Sequence, residues 1–180
     1  MKVKIDLEDT YELLLITPDL REAAFHSCDK KGNAVLMKIQ LKPAMIGLLP
    51  DVYNLSFGPP LPNGTIDDSA EISHDDLNKL FSSIILFALT FLRANPESSI
   101  GLDGSDDVRA YLYHRIFIGN RTYLSEYLKA FGVDWFARLM RSGDIERKND
   151  GAVFFKPQSE LLDSHRPAID LYRYYVFRNI

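Results

Sequence analysis

Apolar residues recur along this chain in two rhythms, and the change from one to the other marks its elements. From Tyr11 to Thr17 Leu and Ile dominate up to Pro18, which cannot donate to a ladder, so a first strand is predicted there. Ala23 to Ser27 and Ala34 to Leu41 flank the polar, glycine-containing run Asp29-Lys30-Lys31-Gly32-Asn33, the pattern of a hairpin. In its second arm Val35, Met37, Ile39 and Leu41 alternate with Leu36, Lys38, Gln40 and Lys42, which puts one face on a core and turns the other towards water. Val52 to Phe57 keeps the two-residue rhythm, with Tyr53, Leu55 and Phe57 on one side and Asn54 and Ser56 on the other. It runs into Gly58-Pro59-Pro60-Leu61-Pro62-Asn63-Gly64, too rich in proline and glycine for a regular element and stiff enough to wall a site.

The rhythm then lengthens to that of a helix. Leu77 to Leu92 is predicted helical, and its run Ile84-Ile85-Leu86-Phe87-Ala88-Leu89 leaves no polar face, so it has to be covered on every side. Ser73 and Asp76 have the spacing of a capping box with Asp in place of Glu, and Asp75 and Asp76 suit the positive end of the helix dipole. Pro96 ends this helix, Ser98 to Leu102 reads as a short buried strand, and Asp103-Gly104-Ser105 turns into a second helix from about Asp106 to Ile118, stopped by Gly119-Asn120. Tyr123 to Lys129 is expected as a further helical turn. Phe131 to Met140, with Trp135, is expected to be buried but is undecided between strand and helix. Arg141 to Gly151 reads as a charged turn, Ala152 to Phe155 as a short strand, Ser159 to Pro167 as polar and exposed, and Ile169 to Phe177 as an edge strand. The predicted fold is α+β: an antiparallel sheet packed on a buried central helix, with the second helix and the later strands completing a single domain over residues 1–180.

Composition sharpens this only in part. With 180 residues, 46% hydrophobic and 26% charged, the chain is a folded domain with a real core. A net charge of -4 argues against a duplex-binding surface spread over the whole protein. Cys28 is the only cysteine, which excludes an internal disulfide and a cysteine-based zinc site. Met1 to Asp6 alternates charge with apolarity, unlike a signal peptide, and the apolar run between Lys79 and Arg93 falls short of the roughly 20 residues that span a bilayer. The expectation is a cytoplasmic protein with no membrane partner.

The richest local chemistry is the turn before the second helix. Backbone N–H groups at a helix start, Gly104 permitting close approach, the Ser105 hydroxyl and Arg109 one turn on are the parts of an anion site. The structural alternative is that Ser105 is an ordinary N-cap and Arg109 pairs with Asp106 or Asp103. Asn54, Phe57, Asp67, Asp68 and Tyr113 are the candidate pocket wall. A nucleotidyltransferase would need later acidic residues alternating along a strand, and the adjacent Asp106-Asp107 diverge instead. Asp67, Asp68, Glu71, His74, Asp75 and Asp76 lack any fixed ligand spacing, so they read as loop solvation and helix capping, with no metal and no cofactor expected. Tyr111, Tyr113, His114 and Arg115, and then Tyr172 to Arg178, interleave aromatic and basic groups as a single-strand-binding surface does, but a packed strand with a snorkelling arginine face is commoner.

Three phrases carry a resemblance: Tyr53-Asn54-Leu55-Ser56-Phe57-Gly58 with Asp67-Asp68, the helix ending at Asn95-Pro96, and Gly104-Ser105 followed by Arg109, Leu112, Tyr113 and Arg115-Ile116. Over Tyr11 to Phe155 the chain resembles a small bacterial protein family known only as a domain of unknown function. The resemblance implies a layout and no chemistry, and the stretch after Pro157 is longer than the family pattern. The functional expectation is an intracellular bacterial binding or interaction protein. Two alternatives stand beside it: an enzyme acting on a phosphorylated small molecule or nucleotide at the Gly104-Ser105 turn, or a nucleic-acid-linked toxin or phage-defence component. A protein partner and a homo-oligomer are both left open, and nucleic acid is disfavoured.

Overall fold

Asp29 closes the first hairpin with its own side chain, accepting the backbone N–H groups of Lys31 and Asn33 at 2.8 and 2.9 Å, while Gly32 takes the positive φ of 82° that the turn requires. The turn joins β2 (Glu22–Cys28) to β3 (Ala34–Pro43), with β1 (Leu13–Ile16) outside β2 and β4 (Val52–Gly58) on the far side of β3. Ala23, Phe25, Met37, Ile39, Leu41 and Leu55 from these strands are buried in one core, as the alternating pattern predicts. The computed structural model describes residues 3–44, 49, 51–67, 70–104 and 106–180.

Helix α1 (Leu77–Ala94) lies on that core with Phe81, Ile84, Ile85, Ala88, Leu89 and Leu92 all at most 6% exposed. By length and composition alone it could cross a membrane, and here most of it is buried. Ser82 and Ser83, which interrupt its apolar run, are buried too. Their hydroxyl oxygens accept the N–H groups of Asp6 and Tyr11, so the amino-terminal segment is held across the helix. The cap is Asp76 itself, whose carboxylate accepts the Lys79 N–H at 2.9 Å, and Ser73 is not part of a capping box. The Ser73 carbonyl accepts from Lys30 and the Asp75 N–H donates to Cys28, so residues 73–75 are pinned to the end of β2 and cannot join the helix.

After α1 come β5 (Ser99–Asp103), α2 (Asp107–Gly119), the single turn α3 (Arg121–Leu124), β6 (Leu128–Ala137), β7 (Phe155–Leu161) and β8 (Tyr174–Asn179). They join one eight-stranded sheet in the order β1-β2-β3-β4-β5-β8-β6-β7. Every neighbouring pair is antiparallel except β4 and β5, because the chain crosses over through α1 between them.

Several expectations for the second half are corrected. The last strand begins at Tyr174, not Ile169, and is central, between β5 and β6, with Tyr175 and Phe177 at most 1% exposed. Its aromatic density belongs to a core position. Phe131 to Met140 is strand as far as Ala137, yet Trp135, Phe136, Leu139 and Met140 are exposed. The helical turn ends at Leu124 and Leu128 already pairs with β8. The strand expected at Ala152 to Phe155 starts at Phe155 and runs to Leu161, into the stretch read as polar and exposed, where Ser159 to Leu161 are exposed. That edge strand holds Pro157, which an unpaired outer side tolerates.

Glycines admit two aromatic rings to the sheet. A Cβ on Gly132 would lie 2.2 Å from the Tyr172 ring, and one on Gly101 would lie 1.9 Å from the Tyr174 hydroxyl. Tyr174 reaches across Gly101 to donate to the Asn54 side-chain oxygen, so β8 is tied to β4 over the backbone of β5.

Candidate functional site

β4 and β5 pair only from Val52 to Asn54 against Ser99 to Gly101, and beyond that the two parallel strands part. The crevice outside the carboxyl ends of parallel strands is where open α/β sheets receive ligands. Here it holds a recess of about 160 Å³ lined by Leu55, Ser56, Phe57, Asp103, Arg109, Leu112 and Tyr113. Phe57, Arg109 and Tyr113 therefore meet, although they come from distant parts of the sequence. The floor is apolar, since Leu55, Phe57 and Tyr113 also line a small hollow of about 20 Å³ against α1.

Asn54 is placed elsewhere, bonded to Tyr174. Asp67 is brought beside the end of β4 by the proline-rich loop, which is closed by a bridge between Pro60 and Ile66. The Asp67 N–H donates to the Pro59 carbonyl at 2.9 Å, and a Cβ on Gly58 would meet the Asp67 carbonyl at 2.2 Å. That contact is the reason for glycine at position 58. Asp68 and Ser105 lie outside the described residues.

Gly104 is buried, its N–H donating to the Arg173 carbonyl at 2.9 Å, and an added Cβ would come within 3.1 Å of the Ala110 Cα. It lets α2 lie close on β5. The N-cap of α2 is Asp106, whose carboxylate accepts the Arg109 N–H at 2.8 Å and pairs with the Arg109 side chain at 3.1 Å. The recess thus carries Asp103 and the Asp106-paired Arg109 at its polar end and aromatic rings at its base.

The other singled-out residues scatter. On α2, Tyr113 and His114 are buried while Tyr111 is exposed. Arg173 pairs with Asp107 at 2.6 Å, and Arg178 lies 5.1 Å from the Phe131 ring centre. His74 bonds Ser27 at 3.1 Å with both side chains buried, and burial pushes its imidazole below the ordinary value. Among the described residues no three of the His, Cys, Asp and Glu side chains come together as a metal site. Cys28 and His26 are both exposed on β2.

Sequence reasoning missed two groups. Arg166 lies 3.9 Å over the Tyr172 ring and pairs with Asp134 at 2.8 Å, which ties the segment before β8 to β6. Nothing local in the sequence pairs residues so far apart. The second is an arm: β6 pairs with β8 only as far as Val133, and beyond it Asp134 to Ala137 pairs with Phe155 to Gln158 alone. Bridges Leu139–Ile145 and Arg147–Val153 continue the arm, and Phe136, Leu139, Met140 and Phe155 on it are at least 50% exposed. The composition of residues 135–156 does give a signal, with five Lys or Arg against three Asp or Glu in an otherwise acidic chain.

Fold and recess define a single-domain mixed-sheet protein with one helical layer and a crevice at its parallel strand pair. Residues 7–147 match the model of a family of unknown function, DUF6934, and the chain belongs to that family. No curated protein and no solved structure matches it. β7 and β8 lie beyond the matched residues, although β8 stands at the centre of the sheet.

Proposed function

We propose that this protein works by binding, and that the arm from Trp135 to Lys156 is the surface that meets a partner protein. The observation that carries the reading is the exposure of Phe136, Leu139, Met140 and Phe155 on an element with no core of its own to cover. Apolar side chains gathered on a projecting hairpin mark an interaction surface rather than ordinary surface scatter. Arg138 and Lys156 share Glu146, whereas Arg141 and Lys148 have no side-chain partner among the described residues, so the matching surface is apolar with an acidic rim. A photo-crosslinking residue at position 139 should give a discrete adduct in cells that Phe136→Ser abolishes, and the same residue at exposed Val108 should give none. Absence of any adduct at position 139 overturns the reading. Sedimentation tells whether the partner is a second copy.

A second reading rests on the recess between β4 and β5, where Arg109 and Asp103 stand over an apolar floor. It is the alternative of a phosphorylated small molecule or nucleotide bound at the Gly104 turn. A thermal-shift screen with nucleotides and sugar phosphates tests it. A stabilisation that grows with the logarithm of ligand concentration and is lost in Arg109→Ala supports it, and no response in the unaltered protein removes it.

A further inference from the structure

The open sheet has two edges, and only one of them is guarded. β7 carries Lys156, Pro157 and Glu160, and charge and proline keep a foreign strand from adding to an edge. β1 at the other edge is Leu13-Leu14-Leu15-Ile16, with no charge and no proline inside it. All four side chains are exposed, from 37% at Leu13 to 58% at Leu14, the longest run of exposed large apolar residues among the described residues. Neither face of the strand is covered: Leu13 and Ile16 pair with the buried Phe25 and Ala23 yet stay exposed, and Leu15 pairs with Ala24 on the outer side. The Thr17 N–H donates to the Glu22 carbonyl, so by the alternation of an antiparallel pair the N–H and C=O of Ile16 face away from β2. Apolar side chains beside open backbone groups fit a protein strand or hairpin rather than a small molecule.

Charge narrows the choice of occupant. Residues 6–22 hold six Asp or Glu and one Arg, and even with Lys38 and Lys79, which pair there with Glu22 and Asp9, the surroundings of β1 are acidic. Two β1 edges meeting each other would bring these acidic flanks together, which like charges oppose. The arm has the opposite character, with exposed apolar side chains among five Lys or Arg and three Asp or Glu over residues 135–156. Six strands separate it from β1 of its own chain, so the two surfaces meet between molecules. We propose that the partner of the arm is a second copy of this chain, the arm of one molecule lying along the β1 edge of the next. This rests on the arm being an interaction surface and adds what that surface meets. Contact between unlike surfaces makes the association head to tail, so each molecule both gives an arm and receives one.

The test uses the purified full chain with a photo-crosslinking residue at position 139. Irradiation should give an adduct of two chains whose crosslink maps to residues 10–19 of the second. Leu14→Lys with Leu15→Lys, at side chains more than half exposed, should abolish that adduct, with a melting curve showing that the fold is kept. Mixing then separates unlike surfaces from like ones. A chain with the blocked edge and the crosslinker, and a chain with Phe136→Ser and Leu139→Ser, should each stay monomeric alone in sedimentation, and together they should form the mixed adduct. Association of the unaltered chain should weaken as salt rises from about 0.05 to about 0.5 M, because exposed charges are screened. The proposal is overturned by no two-chain adduct from the purified chain, by a crosslink outside residues 10–19, or by either blocked chain associating alone. Failure of the mixed adduct, or association indifferent to salt, overturns it equally. An adduct in cells between position 139 and a different protein, with none between purified chains, removes the second copy and leaves the arm as an interaction surface, whereas no adduct in either setting removes both.

Discussion

Gly132 carries more of the fold than any side chain could at its position. The Tyr172 ring lies against its backbone and in turn supports Arg166, so one missing Cβ allows a stacked column from β6 outwards. Gly132→Ala should cost at least about 1–3 kcal/mol, the range for forcing an extra carbon into a packed interior. In a double-mutant cycle with Tyr172→Ala most of that cost should disappear, and additivity in urea melts would refute the contact. His74 and His114 belong to the same scale. Burial pushes both imidazoles below the ordinary value of 6.5, and Arg115 and Arg166 push His114 further, against the opposing pull of Asp163. The Nδ1 atom of His114 is buried with no hydrogen-bond partner among the described residues. Below pH 6.5 the unfolded chain therefore binds protons that the folded chain does not, and stability should fall as pH falls from that value through the lowered folded pKa values. Melting temperatures from pH 8 to 5 should show this loss, and His114→Phe should lessen it. An unchanged slope would show that His114 does not contribute.

At the scale of elements, α1 is the scaffold and its polar residues serve it. Leu89 is 1% exposed, and Leu89→Ala should lower unfolding free energy by about 2–5 kcal/mol through lost transfer energy and the cavity left behind. A denaturation midpoint equal to that of the unaltered chain would contradict the central role of this helix. Asn120 does for α2 what Ser82 and Ser83 do for α1. Its side chain donates to the carbonyls of Val3 and Ile116 and accepts the Ile5 N–H at 2.9 Å, fixing the amino-terminal segment beside the helix end. Asn120→Ala strands those buried groups and should cost about 1–3 kcal/mol, whereas replacing the exposed Val108 by Ala should cost little. Equal effects of the two in a chemical melt would sink that account.

At the scale of the whole molecule the sheet is closed by its last strand. β8 sits between β5 and β6 and also supplies Tyr175 and Phe177 to the core against Tyr113 and Phe117. A chain ending before Ala168 would leave β5 with no partner on one side and the β6–β7 arm detached from the sheet. Such a truncation should lose cooperative unfolding altogether, as followed by near-ultraviolet circular dichroism and a urea titration. A truncated chain that melts as sharply as the full one would return the strand to the edge position its sequence suggests.

The sequence by itself determined the elements whose signals are local. Alternation in β3, the polar closure at Asp29 to Asn33, the unbroken apolar run of α1 and the Gly119-Asn120 stop all depend on neighbours within a few residues, and burial, turn and cap chemistry act at that range. Fold class and the buried face of the helix followed from them. Tertiary structure decided where the last strand lies, which phrases share a surface, and which aromatic residues stay outside. Tyr174, Tyr175 and Phe177 read alike as edge or centre, because an aromatic strand carries no mark of its neighbours until β5 and β6 stand on either side. Phe136 and Leu139 read as core for the same reason: apolar character favours burial only where a second layer exists, and the arm extends past the end of β8. Of the anion-site and pocket-wall residues, Phe57, Arg109 and Tyr113 met because β4 and β5 are parallel and part beyond Asn54 and Gly101. That parting depends on the crossover through α1, which no local phrase encodes.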